Sequence, residues 1–129
     1  MAGNEIGAVC WTDLTVPDAE RVADFYRRVV GWTSTPCDMD GYSDHCMNTP
    51  AGGQTVAGIC HARGVNADLP PQWLIYIVVA DVDESAEACA RLGGAVLAGP
   101  REMAGQGRFC VIRDPAGAVA ALISPKHLE

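Results

Sequence analysis

A chain of 129 residues with 49% hydrophobic and 19% charged side chains has the make-up of one ordinary globular domain, 1–129, large enough to bury a core. Its formal net charge of −7 argues against nucleic acid or an anionic membrane surface as partner, because both are held through an excess of Lys and Arg. No stretch approaches the ~18 apolar residues of a membrane span, and "MAGNEIGAVC" lacks a basic segment leading into a long apolar run, so a soluble, cytoplasmic protein with a small-molecule partner is expected.

In chain order, "GAVCWTDLTV" (7–16) alternates and favours a strand, then gives way at "PDAERVADFYRRVVG" (17–31) to a helical period. Val22, Phe25, Tyr26, Val29 and Val30 make one apolar stripe, Asp18 stands where an N-cap belongs, and Gly31 ends the helix. Three short strands are expected next, at "WTSTPCDM", "YSDHCMNT" and "TVAGICHA", separated by Gly, Pro and Asp turns. A connector at about 63–72 holds two prolines and no periodicity. The order then recurs: a strand at "WLIYIVVA", a helix at "DESAEACARLG", and strands at "AVLAGPREM", "GRFCVIRD" and "GAVAALIS". Trp32 is expected to pack under the first helix and Trp73 to fix the entry of the fifth strand.

The second half repeats the first. A shift of 63 sets Asp18 on Asp81, Leu14 on Ile77, and "VAGIC" (56–60) on "VAALI" (119–123). A shift of 64 sets "HCMN" (45–48) on "FCVI" (109–112), and the slip falls in turns, where insertions are tolerated. The modules are placed at about 6–62 and 73–125.

Six cysteines, at 10, 37, 46, 60, 89 and 110, include no CxxC pair, and without a secretion signal free thiols are expected. The three histidines, His45, His61 and His127, have no second ligand at helical or hairpin spacing. His45 beside Cys46 and His61 beside Cys60 look like ligand or nucleophile pairs, but strand neighbours point to opposite faces. Leu128 and Glu129 read as a cloning-vector scar and are given no function.

Paired β-α-β-β-β modules, with "TVPDAERVADFYRRVVGW" in the first and "GRFCVIRDPAGAVAALI" closing the second, resemble the vicinal oxygen chelate superfamily, which includes glyoxalase I, extradiol dioxygenases, fosfomycin-resistance enzymes and bleomycin-binding proteins. The resemblance runs from about Ile6 to Ser124; "FYRRVVGW", "VAGI" and "PPQWLIYIVVADVD" are similar to a bacterial glyoxalase-like branch. It implies an α+β fold in which two tandem modules form one half-open eight-stranded cup, a homodimer, and a divalent metal held by His or Glu on the first and last strands of each module. Carried over one position at a time, those ligand places fall on Trp11, Gly58, Leu74 and Ala121. None has a side-chain lone pair for a cation, so no metal and no other cofactor is expected.

If those places face inward, Trp11, Asp13 and Thr15 share the inner face of the first strand, and Leu74, Tyr76 and Val78 that of the fifth. On the middle strands the 64-residue offset makes His45 with Met47, and Phe109 with Val111, the candidate inner sets. The expected ligand-binding residues are Trp11, Asp13, His45, Met47, Tyr76 and Phe109, with Asp13 and Tyr76 as candidate acid or base groups. Residues such as Trp11, Met47 and Phe109 are more often plain core than ligand contacts, since large apolar side chains are commonly buried for packing alone. Asp13 is more informative: a carboxylate on an apolar strand either joins a local hydrogen-bond network or anchors a ligand. Two functions follow from the resemblance and these residues: a metal-free binder of an aromatic or amphipathic small molecule, or a metal-independent acid/base enzyme acting on a small oxygenated substrate.

Overall fold

The structure, a computed structural model, describes residues 5–39, 42–103, 105 and 107–125; His127, Leu128 and Glu129 lie outside the described residues. The expected order is found twice. β1 (Val9–Val16) leads to α1 (Ala19–Val30), β2 (Thr33–Met39), β3 (Tyr42–Asn48) and β4 (Thr55–His61). A short 3-10 turn at Gly64–Asn66 precedes β5 (Trp73–Val78), α2 (Val82–Arg91), β6 (Ala95–Met103), β7 (Gly107–Arg113) and β8 (Val119–Pro125). The fold is α+β, and its eight strands hydrogen-bond in the order β2-β3-β4-β1-β5-β8-β7-β6. No described helix is long and apolar enough to cross a membrane.

The chain divides into two compact units, residues 12–73 and residues 5–11 with 74–125. This differs from the expected boundary near 6, and the reason is local. Gly7 N–H donates to Val78 O at 2.8 Å and Val78 N–H to Ala8 O at 2.9 Å, which tie the start of the chain to β5.

In the unit 12–73, β1 runs parallel to β4 while β3 is antiparallel to both β4 and β2. Asp18 caps α1 by accepting Arg21 N–H at 3.2 Å, and Gly31, at φ 91°, closes it in the left-handed conformation that glycine takes at least cost. α1 lays Ala19 and Ala23 on a core of Leu14, Val16, Met47, Ala57 and Ile59. Small helix residues let the backbone approach the sheet closely, and Val22, Tyr26, Trp32 and Trp73 fill the edge of that contact. The rings of Tyr26, Trp32 and Trp73 lie 5.3–6.1 Å apart, and Trp73 Nε1–H donates to Tyr26 Oη at 3.1 Å, so both tryptophans have the packing roles expected of them.

The other unit repeats the plan, with β5 parallel to β8 and β7 antiparallel to β8 and β6. Its helix core is Val82, Ala86, Cys110 and Leu122. Here the cap is stronger, since Asp81 Oδ1 accepts two amides, Asp83 N–H at 2.9 Å and Glu84 N–H at 3.1 Å. Asp18→Ala should therefore cost about 1 kcal/mol of stability and Asp81→Ala more. Urea denaturation of the two variants beside the parent measures the difference, and an equal or reversed order would contradict this reading of the caps.

Candidate functional site

The register of the parallel strands fixes which residues share a face. Asp13 lies opposite Gly58 on β1/β4, and Tyr76 opposite Ala121 on β5/β8. Both members of the second pair follow those of the first by 63 residues, so Asp13 and Tyr76 hold matching places in the repeat, as the sequence implied.

The middle strands differ from the expectation. Cys46 pairs with Gly58, while the residue paired with Ala121 is Val111, which makes the structural offset between β3 and β7 one of 65 residues instead of 64. A one-residue slip moves every side chain to the opposite face of a sheet. Asp44, not His45, is therefore the counterpart of Phe109, and Cys46, not Met47, that of Val111. His45 and Met47 lie on the face of β3 that meets α1. Met47 is fully buried among Ala19, Ala23 and Ile59, and His45 Nε2 lies 3.2 Å from Glu20 Oε1 on α1, near in distance but without hydrogen-bond alignment. The structure thus separates His45 and Met47 from Asp13. Phe109 and Val111 lie on the side of β7 away from α2, as expected, because it is Cys110 that packs beneath that helix.

What the register brings together with Asp13 is Asp44, Cys46 and Cys60, joined at the rim by Thr15 and Asn48. Asp13, Thr15, Asp44 and Asn48 are all buried, with 5–8% of their surface exposed. The Cys60 thiol donates to Asp13 Oδ2 at 3.9 Å, a long contact acceptable for sulfur. Asp44 Oδ1 accepts the backbone N–H of His61 at 2.9 Å. Asn48 links β2 to β4 by donating to Thr35 Oγ1 at 3.4 Å and accepting from Thr55 Oγ1 at 2.6 Å. In the other unit, the corresponding face is apolar apart from one phenol: Leu74, Tyr76, Val78, Phe109, Val111, Ala121 and Ile123, each no more than 8% exposed. Trp11 follows the alternation of Asp13 along β1 and is half-buried. Asp44, Cys46 and Cys60 escaped the sequence reading, although a buried-strand pattern with an acid in "YSDHCMN" carried the signal in either phase.

Burial holds the thiols in their neutral form, with nearby thiols and carboxylates adding to it. Burial, then the charges of Asp13 and Asp44, push the Cys60 thiol far above its ordinary value. Burial first, then Cys37 and Asp44, push Cys46 up to about 11, and burial takes Cys110 to about 11 as well. None of these is a nucleophile at neutral pH, since the thiolate is the reactive species. A raised thiol pKa has a definite sign in stability. Unfolded cysteines lose their protons near their ordinary value of 9.0 while the folded ones keep theirs, so the contribution is fully present below pH 9 and is lost as the pH rises toward about 11. The melting temperature should fall across that window, and Cys110→Ala should flatten the fall; a parent whose melting temperature is level from pH 9 to 11 would refute this.

The metal implied by the family resemblance does not fit these residues. The residues that the resemblance sets at the four ligand positions, Trp11, Gly58, Leu74 and Ala121, have no side-chain donor for a cation, and the register pairs Gly58 with Asp13 and Ala121 with Tyr76. Among the described residues, no group of three or more His, Cys, Asp or Glu side chains is arranged to hold a metal ion.

Comparison with known proteins places this arrangement. Residues 8–122 match the Glyoxalase/Bleomycin resistance protein/Dioxygenase superfamily. CFP32 of Mycobacterium bovis, named as a glyoxylase, is 30% identical over 122 residues, which are 95% of this chain and 46% of that protein. The anthracycline biosynthesis protein DnrV of Streptomyces peucetius is 31% identical over 128 residues, 90% of this chain and 46% of its own length. The chain thus spans about half the length of these relatives. Streptomyces coelicolor methylmalonyl-CoA epimerase, solved with 2-nitronate-propionyl-CoA, superposes with a TM-score of 0.61 at 18% identity, covering 97% of this chain and 99% of the other, a likeness of fold. With the match running over most of its length, the chain belongs to the glyoxalase/bleomycin resistance protein/dioxygenase superfamily.

Proposed function

We propose that the chain is a metal-free small-molecule-binding protein of the glyoxalase/bleomycin-resistance type, working in the cytoplasm as a homodimer, with an aromatic or amphipathic natural product as its ligand. The observation that carries the reading lies on the β1/β4 face of the unit 12–73: Gly58, at a place where the resemblance implies a metal ligand, has no donor, while buried Asp13 stands opposite it and buried Asp44 follows on β3. A ligand amine or hydroxyl is the kind of group that carboxylates hold in an otherwise apolar setting. The 31% identity to a protein named for anthracycline biosynthesis supports a natural product as the class. Trp11, Asp13, Tyr76 and Phe109 remain the proposed contacts, with Asp44 added; His45 and Met47 are assigned to the helix side instead.

A second reading, a metal-independent enzyme with Asp13 or Tyr76 moving a proton on a small oxygenated substrate, is favoured by the burial of Asp13, which keeps bulk water from competing with a substrate for the carboxylate. A thermal-shift screen of natural products and aromatic metabolites, followed by incubation of each hit with the protein and product analysis, separates the two. Binding without conversion supports the binder, conversion supports the enzyme, and a screen without a hit at millimolar ligand counts against both.

A further inference from the structure

We propose that Cys37 on β2 and Cys46 on β3 form a modification site, two thiols that a small disulfide such as oxidised glutathione converts into a reversible bridge locking β2 to β3. The register places them. Cys37 pairs with Asp44 and Cys46 with Thr35, so the two cysteines are diagonal neighbours on one face of the β2/β3 ladder. Both are free and half-buried. The Cys46 thiol hydrogen-bonds to the Cys37 sulfur, so the two sulfurs already meet. Diagonal neighbours lie about 7–8 Å apart at Cα and a disulfide spans up to about 7 Å, so closing the bridge requires a small approach of the strands. β2 can supply it, because it ends the strand order, with β3 as its neighbour.

The other thiols are placed for different contacts. Cys60 donates to Asp13 Oδ2 at 3.9 Å, Cys89 donates to Ala95 O at 3.8 Å, and Cys10 and Cys110 are buried. The repeat offers a comparison. Val111 holds the place of Cys46 on β7, and Arg101, paired with Phe109 as Cys37 is with Asp44, holds that of Cys37. The architecture is met there without thiols, so the pair is not a demand of the fold.

The two cysteines take different parts in the exchange. Cys37 attacks one sulfur of the reagent, the reagent's S–S bond breaks, and one glutathione leaves as a thiol with the Cys37 proton. A mixed disulfide remains on Cys37. Until then burial first, and next the Cys37 thiol, hold the Cys46 proton in place, up to about 11. The mixed disulfide removes the thiol contribution, and Cys46 becomes the resolving group. Its sulfur attacks that of Cys37, and the second glutathione leaves with the Cys46 proton. Two protein thiols are oxidised and one reagent disulfide is reduced to two thiols. Asp44 stands opposite Cys37 and two residues before Cys46, so the bridge fastens the segment that carries one carboxylate of the proposed binding face. It requires no ligand, and its test stands apart from the ligand screen.

The full chain, reduced and then incubated in its folded state with excess glutathione disulfide, is alkylated and mapped by mass spectrometry. Trypsin leaves Cys37, Cys46 and Cys60 on one peptide, 29–63, and chymotrypsin, cutting after Tyr42, separates Cys37 from the other two. The expected product is a chain lighter by two hydrogens, with four of its six thiols alkylated and the two sides of Tyr42 joined through Cys37 and Cys46. Cys37→Ser and Cys46→Ser should each abolish the bridge, and Cys60→Ser should keep it. The bridged form should melt above the reduced one and return to it with dithiothreitol, because the link restricts the unfolded chain. A bridge through Cys60 or between Cys89 and Cys110, a mixed disulfide that never closes, or a parent whose six thiols all stay alkylatable overturns the proposal, as does a bridged form that melts no higher than the reduced one. The mapping is made on the parent, so a serine variant that fails to fold leaves the decision intact.

Discussion

Met47→Ala should destabilise the protein by about 2–5 kcal/mol, the usual range for removing a large buried side chain and leaving part of its volume empty. Met47 is fully buried, and it fills the gap between β3 and the two small residues, Ala19 and Ala23, that bring α1 close to the sheet. Those alanines have no longer side chains with which to close over the hole. In a chain of this size, such a loss should lower the melting temperature by roughly 10 °C or more. Ligand affinity, measured well below the melting temperature, should be little changed, because Met47 lies on the helix side of β3. The opposite outcome, a stable variant with weakened ligand binding, would restore the face that the sequence suggested and overturn the register. Thermal denaturation and a binding titration on one preparation decide between them.

Asp13→Asn is expected to have the largest effect on function. The amide keeps the size of the carboxylate and can still accept from the Cys60 thiol, which now lies 3.9 Å from Oδ2, so the fold should persist. What it loses is the charge and nearly all of the basicity. In a binding protein, a cationic or hydroxylated ligand should be held less tightly by about 1–3 kcal/mol, or roughly 5- to 150-fold, the range for a lost charge-assisted hydrogen bond. In an enzyme that uses Asp13 as its base, turnover should drop about a hundredfold or more while binding survives. Asp44→Asn is the companion measurement. Asp44 is already engaged by the His61 amide, a bond that an Asn oxygen can keep, so its effect on affinity should be smaller than that of Asp13→Asn. A ligand held equally tightly by the parent and by Asp13→Asn, and left unchanged by both, would make Asp13 a structural residue.

The order of elements, the repeat and the caps were legible in the sequence because each rests on local chemistry. Asp18 and Asp81 accept helix N-terminal amides, Gly31 takes the left-handed cap, and the alternation of "LIYIVV" reads the same in any context. The missing metal donors were legible too, since a glycine, an alanine, a leucine and a tryptophan lack them wherever they sit. The face of β3 was not. "YSDHCMN" alternates in both phases, with Asp44, Cys46 and Asn48 in one and His45 and Met47 in the other, and neither phase is uniformly apolar. Only long-range pairing chooses between them: the register Cys46 opposite Gly58, with the shift at Met47/Asn48 that ends it, turns the carboxylate toward Asp13 and the methionine toward α1. The apolar stripe of α1 has the same history. Sequence periodicity identifies Val22, Phe25, Tyr26, Val29 and Val30 as one surface, but how much of it a sheet covers depends on the distance at which the helix sits, and Ala19 and Ala23 set that distance only once the strands beneath them are paired.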